Sequence, residues 1–235
     1  MRKNIFKFKQ FEVDQSGCAM KINTDGVLLA ALAQSESPER ILDIGTGTGV
    51  LALMLAQRFM KAQVEAVEID QDAANTARSN FIHSPFKERM VAHHVAIEDY
   101  SSLEKFDLIV SNPPYFVNDF KNANLKKEVA RHASFQFFKD LLAKAAFLLN
   151  NKGKFWFILP PKQADFVMNE GLKIDLFVDQ VVSVHSDKSK PVIRKIVCLN
   201  KENNLVHCSD FYIYEAQNKY TPAYQALLSD FFLIF

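Results

Sequence analysis

The stretch that most limits what this chain can fold into is LDIGTGTGVLALMLA, residues 42–56. An apolar run enters a turn carrying Gly45, Gly47 and Gly49 and leaves it as a segment with apolar residues at helical spacing. Glycines permit the tight, left-handed turning that such a junction needs, and they let a backbone approach a ligand closely. A strand handed so abruptly to a helix is half of a strand–helix–strand unit, and the rest of the chain repeats the alternation. Strands are expected at 40–45, 63–70, 90–96, 106–112 and 153–160, with helical spacing in VLALMLAQRF, QDAANTARSNF and FQFFKDLLAKAAFLL between them. The second of these helices opens on an Asp-rich cap. Near the end, DLFVDQVVSVHS and PVIRKIVCLNK read as two strands joined by DKSK, a hairpin closing one edge. The pattern predicts an α/β protein built on a mostly parallel sheet covered by helices on both faces.

Two flanks lie outside that core. IFKFKQFEV alternates Phe and Lys and predicts one half-buried strand with Lys7 and Lys9 facing water. YTPAYQALLSDFFLIF begins with a Thr cap and Pro222, and predicts a terminal helix packed on the core. At 235 residues, with no repeat or linker, the chain reads as one domain, 1–235, with 1–35 an N-terminal strand and helix extension to a core at 36–235.

Composition closes off several functions. The formal net charge is +1, so attraction for phosphate has to come from local clusters of Lys and Arg. Three cysteines without a CxxC pair argue against a disulfide framework or zinc site and fit a reducing cytoplasm. His93 and His94 point to opposite faces of a strand, so no metal is expected. The N-terminus lacks an apolar export core and VLLAALA is far too short to span a bilayer, which leaves no membrane partner.

The glycine loop fails the dinucleotide pattern, because Val50 stands three residues after Gly47. The next strand delivers Glu68 about twenty residues on, where an acid can accept both hydroxyls of a ribose, and the third leads to Asp99, which can accept from an adenine amine. Loop and acids on three successive strands describe an adenosyl pocket at the carboxyl ends of the sheet. This order resembles that of the class I S-adenosylmethionine-dependent methyltransferases. The resemblance implies their Rossmann-like fold: a mostly parallel seven-stranded sheet with an antiparallel strand beside one edge. It implies S-adenosylmethionine as cofactor, bound by the loop that carries Gly47, with Asp43 and Gly45 at its methionine side, Glu68 on the ribose and Asp99 on the adenine.

DLIVSNPPYF, residues 107–116, ends the fourth strand on two prolines. The lone pair of an amide or a base amine is delocalised, so methylating one requires acceptors for its N–H bonds and no competing donor. Asn112 offers a side-chain carbonyl and Pro113 a backbone carbonyl, Pro113 and Pro114 remove amide donors, and Tyr115 adds a flat face for stacking. NPPY resembles the signature of amino-methyltransferases acting on DNA or RNA adenine, rRNA guanine or a protein glutamine, with Asn112 also touching the cofactor. Only about forty residues precede the glycine loop, which leaves little room for the helical domain of the glutamine enzymes, and no insertion suits DNA sequence reading.

FKFKQFEVDQSGCAMKINTDGVLLAALA, VARHASFQFFKDLLAKAAFLL and YTPAYQALLSDFFL together resemble the bacterial tRNA1(Val) adenosine-37 N6-methyltransferases across nearly the whole chain. That resemblance implies methylation of a tRNA adenosine next to the anticodon, with Thr24 and Asp25 near the methionine end of the cofactor. Lys126, Lys127, Arg131, Arg194 and Lys195 are the expected RNA contacts, with Phe116 and Phe120 near exposed bases, and a cytoplasmic monomer is the simplest state.

Overall fold

In a computed structural model, residues 4–115 and 125–235 are described, the side chains of 125–134 excepted. The chain opens with the hairpin β1 (Ile5–Lys7) and β2 (Glu12–Asp14), followed by α1 (Thr24–Leu32), β3 (Arg40–Ile44), α2 (Val50–Arg58), β4 (Gln63–Glu68) and α3 (Gln71–Ile82). A short 3-10 turn at Lys87–Arg89 leads to β5 (Met90–His94), β6 (Phe106–Ser111), α4 (Leu125–Leu148), β7 (Leu149–Leu159) and α5 (Pro161–Leu172). The chain closes with β8 (Phe177–His185), β9 (Val192–Asn200), β10 (His207–Tyr212), β11 (Tyr214–Ala216), β12 (Lys219–Tyr220) and α6 (Pro222–Leu228).

Eight strands form the central sheet in the order β10-β8-β9-β7-β6-β3-β4-β5, and β9 alone runs against the rest. The β8–β9 hairpin forms as expected, but its antiparallel strand β9 sits inside the sheet beside β7. The edge belongs to β10, an eighth strand that adds parallel to β8. Four of the six residues of β10 are exposed, so no alternation of apolar residues marks it in the sequence.

The interior strands read as unbroken apolar runs because both faces are covered. Trp156 and Ile158 of β7 enter the core under α1 and α2, whereas Phe155, Phe157 and Leu159 enter the one under α4 and α5. Fully burying each side chain of this size contributes about 1.5–3 kcal/mol, so β7 is anchored from both sides. Asp70 caps α3 by accepting from the Ala73 amide at 2.8 Å, and Thr221 caps α6 by accepting from Tyr224 at 3.1 Å, both as the sequence predicts.

The opening IFKFKQFEV departs from expectation. It is two strands, paired from Ile5 with Asp14 to Lys7 with Glu12, and the turn between them closes where the Phe8 amide donates to Phe11. The stacked rings of Phe8 and Phe11, 4.5 Å apart, take the place of a continuing alternation. Lys7 and Lys9 are both exposed as expected, and the Lys9 ammonium also donates to the Ser229 and Phe235 carbonyls at 2.5 and 2.8 Å, tying the hairpin to the C-terminal segment. Lys7 pairs with Glu12.

Candidate active site

The strand order reverses between β3 and β6, which is where an open α/β sheet leaves a crevice at its carboxyl ends. Ile44 and Ser111, the last residues of those strands, are paired in register, and the Ser111 hydroxyl donates to the Ile44 carbonyl at 2.9 Å. The glycine loop and the Asn112–Tyr115 turn therefore leave the sheet side by side.

In the loop, Gly45, Gly47 and Gly49 have φ of 74°, 55° and 82°, the left-handed region that favours glycine. A Cβ at Gly45 or Gly47 would meet nothing within 4 Å, so the loop leaves room for a ligand against its backbone. At Gly49 a Cβ would lie 2.5 Å from Phe81 of α3, so that glycine serves helix packing.

Two acids hold the loop. Asp43, 1% exposed, accepts from the Thr46 hydroxyl at 2.6 Å and from the Ala52 amide in the first turn of α2. Burial pushes its carboxyl up to about 7; the two hydrogen bonds pull the other way and Glu68 adds to the rise. The structure thus gives Asp43 a role inside the loop. Glu68 accepts from the Gly47 amide at 2.9 Å and from the Asp70 amide at 3.0 Å. A carboxylate has about four lone-pair sites, so this side chain keeps capacity for a diol. Room at Gly45 and Gly47, spare acceptors on Glu68 and the N-terminus of α2 together fit an adenosyl cofactor. Asp99 is exposed and lines a cavity of about 750 Å³ with Arg40, Glu65, His93 and Tyr100.

On the other side of the crevice, four residues from three distant parts of the chain converge. The Tyr115 hydroxyl lies 2.5 Å from Asp25 Oδ2 and 2.9 Å from Asn112 Oδ1. Arg194 Nε donates to the same Asp25 oxygen at 2.7 Å, and its guanidinium lies 4.6 Å over the Tyr115 ring. Burial first, then the Asp25 carboxylate, push the Tyr115 hydroxyl above the ordinary phenol range, so it keeps its hydrogen. Asp25 comes from the first turn of α1, which Asn23 caps by accepting from Gly26 at 2.9 Å. A Cβ at Gly26 would lie 2.9 Å from Leu51 and 3.5 Å from Asn112 Nδ2, which is how closely that turn approaches α2 and the acceptor residue.

The sequence singles out each of these residues and none of their contacts. Asp25 faces Tyr115 and Arg194, and Arg194 holds Asp25 while its guanidinium lies over the Tyr115 ring. Lys195 pairs with Asp165 at 2.5 Å. Thr24 is exposed at the start of α1. The side chains of Lys126, Lys127 and Arg131 lie outside the described residues, as do Phe116 and Phe120.

A doubly covered sheet with this strand order, a glycine loop after the first crevice strand and NPPY after the next defines a methyltransferase, and the methyltransferase small domain model matches residues 18–174. A predicted O-methyltransferase of Agrobacterium tumefaciens, 20% identical, superposes with a TM-score of 0.69 over 88% of this chain and 96% of its own, a likeness of fold alone. The tRNA1(Val) (adenine(37)-N6)-methyltransferase of Pedobacter heparinus is 54% identical over 99% of this chain and 100% of its own, and that of Trichodesmium erythraeum 39% identical over 98% of each. The chain belongs to that family of tRNA adenine-N6 methyltransferases.

Proposed function

We propose that this enzyme transfers a methyl group from S-adenosylmethionine to N6 of adenosine 37 in tRNA1(Val). The observation that carries the reading is the placement of Asn112-Pro113-Pro114-Tyr115 beside the glycine loop, at the point where the strand order reverses. The similarity to the tRNA enzymes over the full length supports the choice of nucleic acid.

S-adenosylmethionine supplies an electrophilic methyl on a sulfonium. The chain supplies position. Glu68 accepts from the ribose hydroxyls while its contact with the Gly47 amide keeps the loop in register. Asn112 Oδ1 and the Pro113 carbonyl accept the two N6 hydrogens, which aims the nitrogen lone pair at the methyl and favours the rehybridisation that transfer requires. The Tyr115 ring, with Arg194 on one face, offers its other face to the base. The amine loses its proton after transfer, so no strong general base is needed. An anticodon loop already presents unstacked bases, which lowers the cost of bringing one into the crevice. Lys126, Lys127 and Arg131, which follow the catalytic turn in the sequence, are the residues offered to its phosphates. This reading puts the enzyme in the cytoplasm, with its RNA.

Purified protein incubated with unmodified tRNA1(Val) and S-adenosylmethionine is expected to yield N6-methyladenosine at position 37 by nucleoside and fragment mass spectrometry. Methylation confined to rRNA guanine, to DNA adenine or to a protein glutamine would replace this reading by one of those.

A further inference from the structure

We propose that Asp25 is a positioning residue that keeps the Tyr115 hydroxyl from occupying the acceptor oxygen of Asn112. The inference rests on the function proposed above and adds a residue to its acceptor side. A phenol carries one hydrogen, and here it faces two acceptors, Asp25 Oδ2 at 2.5 Å and Asn112 Oδ1 at 2.9 Å. It cannot serve both fully. A hydrogen bond to a charged acceptor is about twice as strong as one between neutral groups, so the carboxylate takes the hydrogen. The lone pairs of Asn112 Oδ1 are then left for an incoming amine.

Arg194 completes the arrangement. Its Nε donates to the oxygen of Asp25 that faces the phenol, and its guanidinium plane lies over the ring, so carboxylate and ring are held in one geometry. The guanidinium also donates to the Ile193 carbonyl at 2.7 Å, which fixes it to β9. Only Pro113 and Pro114 separate Tyr115 from Asn112, so without the Asp25 acceptor the nearest alternative for the phenol hydrogen is Asn112 Oδ1. In that arrangement the amide oxygen is already hydrogen-bonded when the substrate amine arrives, and methyl transfer slows although cofactor and RNA still bind.

The test is single-turnover methylation of unmodified tRNA1(Val) by wild type, Asp25→Ala, Asp25→Asn, Tyr115→Phe and the double variant Asp25→Ala/Tyr115→Phe, with S-adenosylmethionine affinity measured by calorimetry on each. Asp25→Ala is expected to lower the rate about tenfold, the size of one neutral hydrogen bond gained by the wrong partner, with cofactor affinity unchanged. Asp25→Asn, which keeps the shape and a neutral acceptor, should fall between it and wild type. The double variant should run faster than Asp25→Ala, because removing the hydroxyl removes the competitor. A merely structural Asp25 gives no such rescue. A double variant as slow as Asp25→Ala, or an Asp25→Ala enzyme at the wild-type rate, overturns the proposal. Wild-type protein that leaves tRNA unmethylated overturns the proposed function itself, and that failure is read before any variant is compared.

Discussion

The two sides of the crevice are built differently. The cofactor side is held by neighbours in sequence: Thr46 binds Asp43 three residues away, and Glu68 reaches Gly47 across 21. The acceptor side is assembled from remote pieces, with Asp25 bonded to Tyr115 across 90 residues and to Arg194 across 169. One strand–helix–strand unit, β3 to β4, suffices to shape the first. The second exists only once the N-terminal helix, the end of β6 and the late strand β9 are all in place. In the proposed mechanism a locally held loop binds the adenosyl group, whereas a long-range cluster couples acceptor chemistry to completion of the whole fold.

The sharpest way to break this division is Asn112→Ala. If the acceptor side works only on the amine, the variant loses turnover on tRNA by about a hundredfold or more, the usual cost of one preorganised hydrogen-bonding group. Its affinity for S-adenosylmethionine stays within a few-fold of wild type. A parallel loss of cofactor affinity in calorimetry would mean that the two sides form one site. The complementary change, Glu68→Ala, is expected to weaken cofactor binding about tenfold or more, since it removes a charged acceptor from the ribose and releases the Gly47 amide. Turnover at saturating cofactor should drop less than in Asn112→Ala. Unchanged affinity in folded Glu68→Ala protein would remove Glu68 from the ribose.

That contrast also explains which parts of the molecule were legible in the sequence. Gly45, Gly47 and Glu68 could be found because their partners lie within one strand–helix–strand unit and the period of apolar residues fixes where that unit turns. The NPPY turn could be placed because prolines end a strand wherever they stand. The link from Asp25 to Arg194 could not, since nothing in NTDG or VIRK specifies a partner 169 residues distant. For Asp99 the order after the third strand is legible, but the cavity it lines with Arg40 and Tyr100 is not, since those partners come from other parts of the chain. β10 and the early hairpin were hidden because the first buries little and the second bends where two phenylalanines stack instead of alternating.

The smallest effect on cofactor affinity is expected at Asp43, the least exposed acid of the cofactor side, and it tests whether that side is held by charge or by shape. Burial raises its carboxyl from the ordinary value of 3.8 to about 7, so the folded protein holds a proton there that the unfolded chain has lost. Wherever the folded state binds more protons, stability falls as pH rises. The contribution of Asp43 is therefore fully present below about pH 3.8 and declines as pH climbs through about 7. Asparagine keeps the shape and one acceptor for the Thr46 hydroxyl or the Ala52 amide but cannot ionise. In Asp43→Asn, urea midpoints measured from pH 4 to 8 should decline less steeply than in wild type, with the two curves closest at pH 4 and separating up to about pH 7. Cofactor affinity at pH 7 should change only a few-fold, because the side chain faces the loop and the first turn of α2. Parallel midpoint curves would show that Asp43 ionises in the folded protein as easily as in the unfolded chain. A large loss of cofactor affinity in a variant of normal stability would show that the negative charge itself, not the loop it holds, acts on the cofactor.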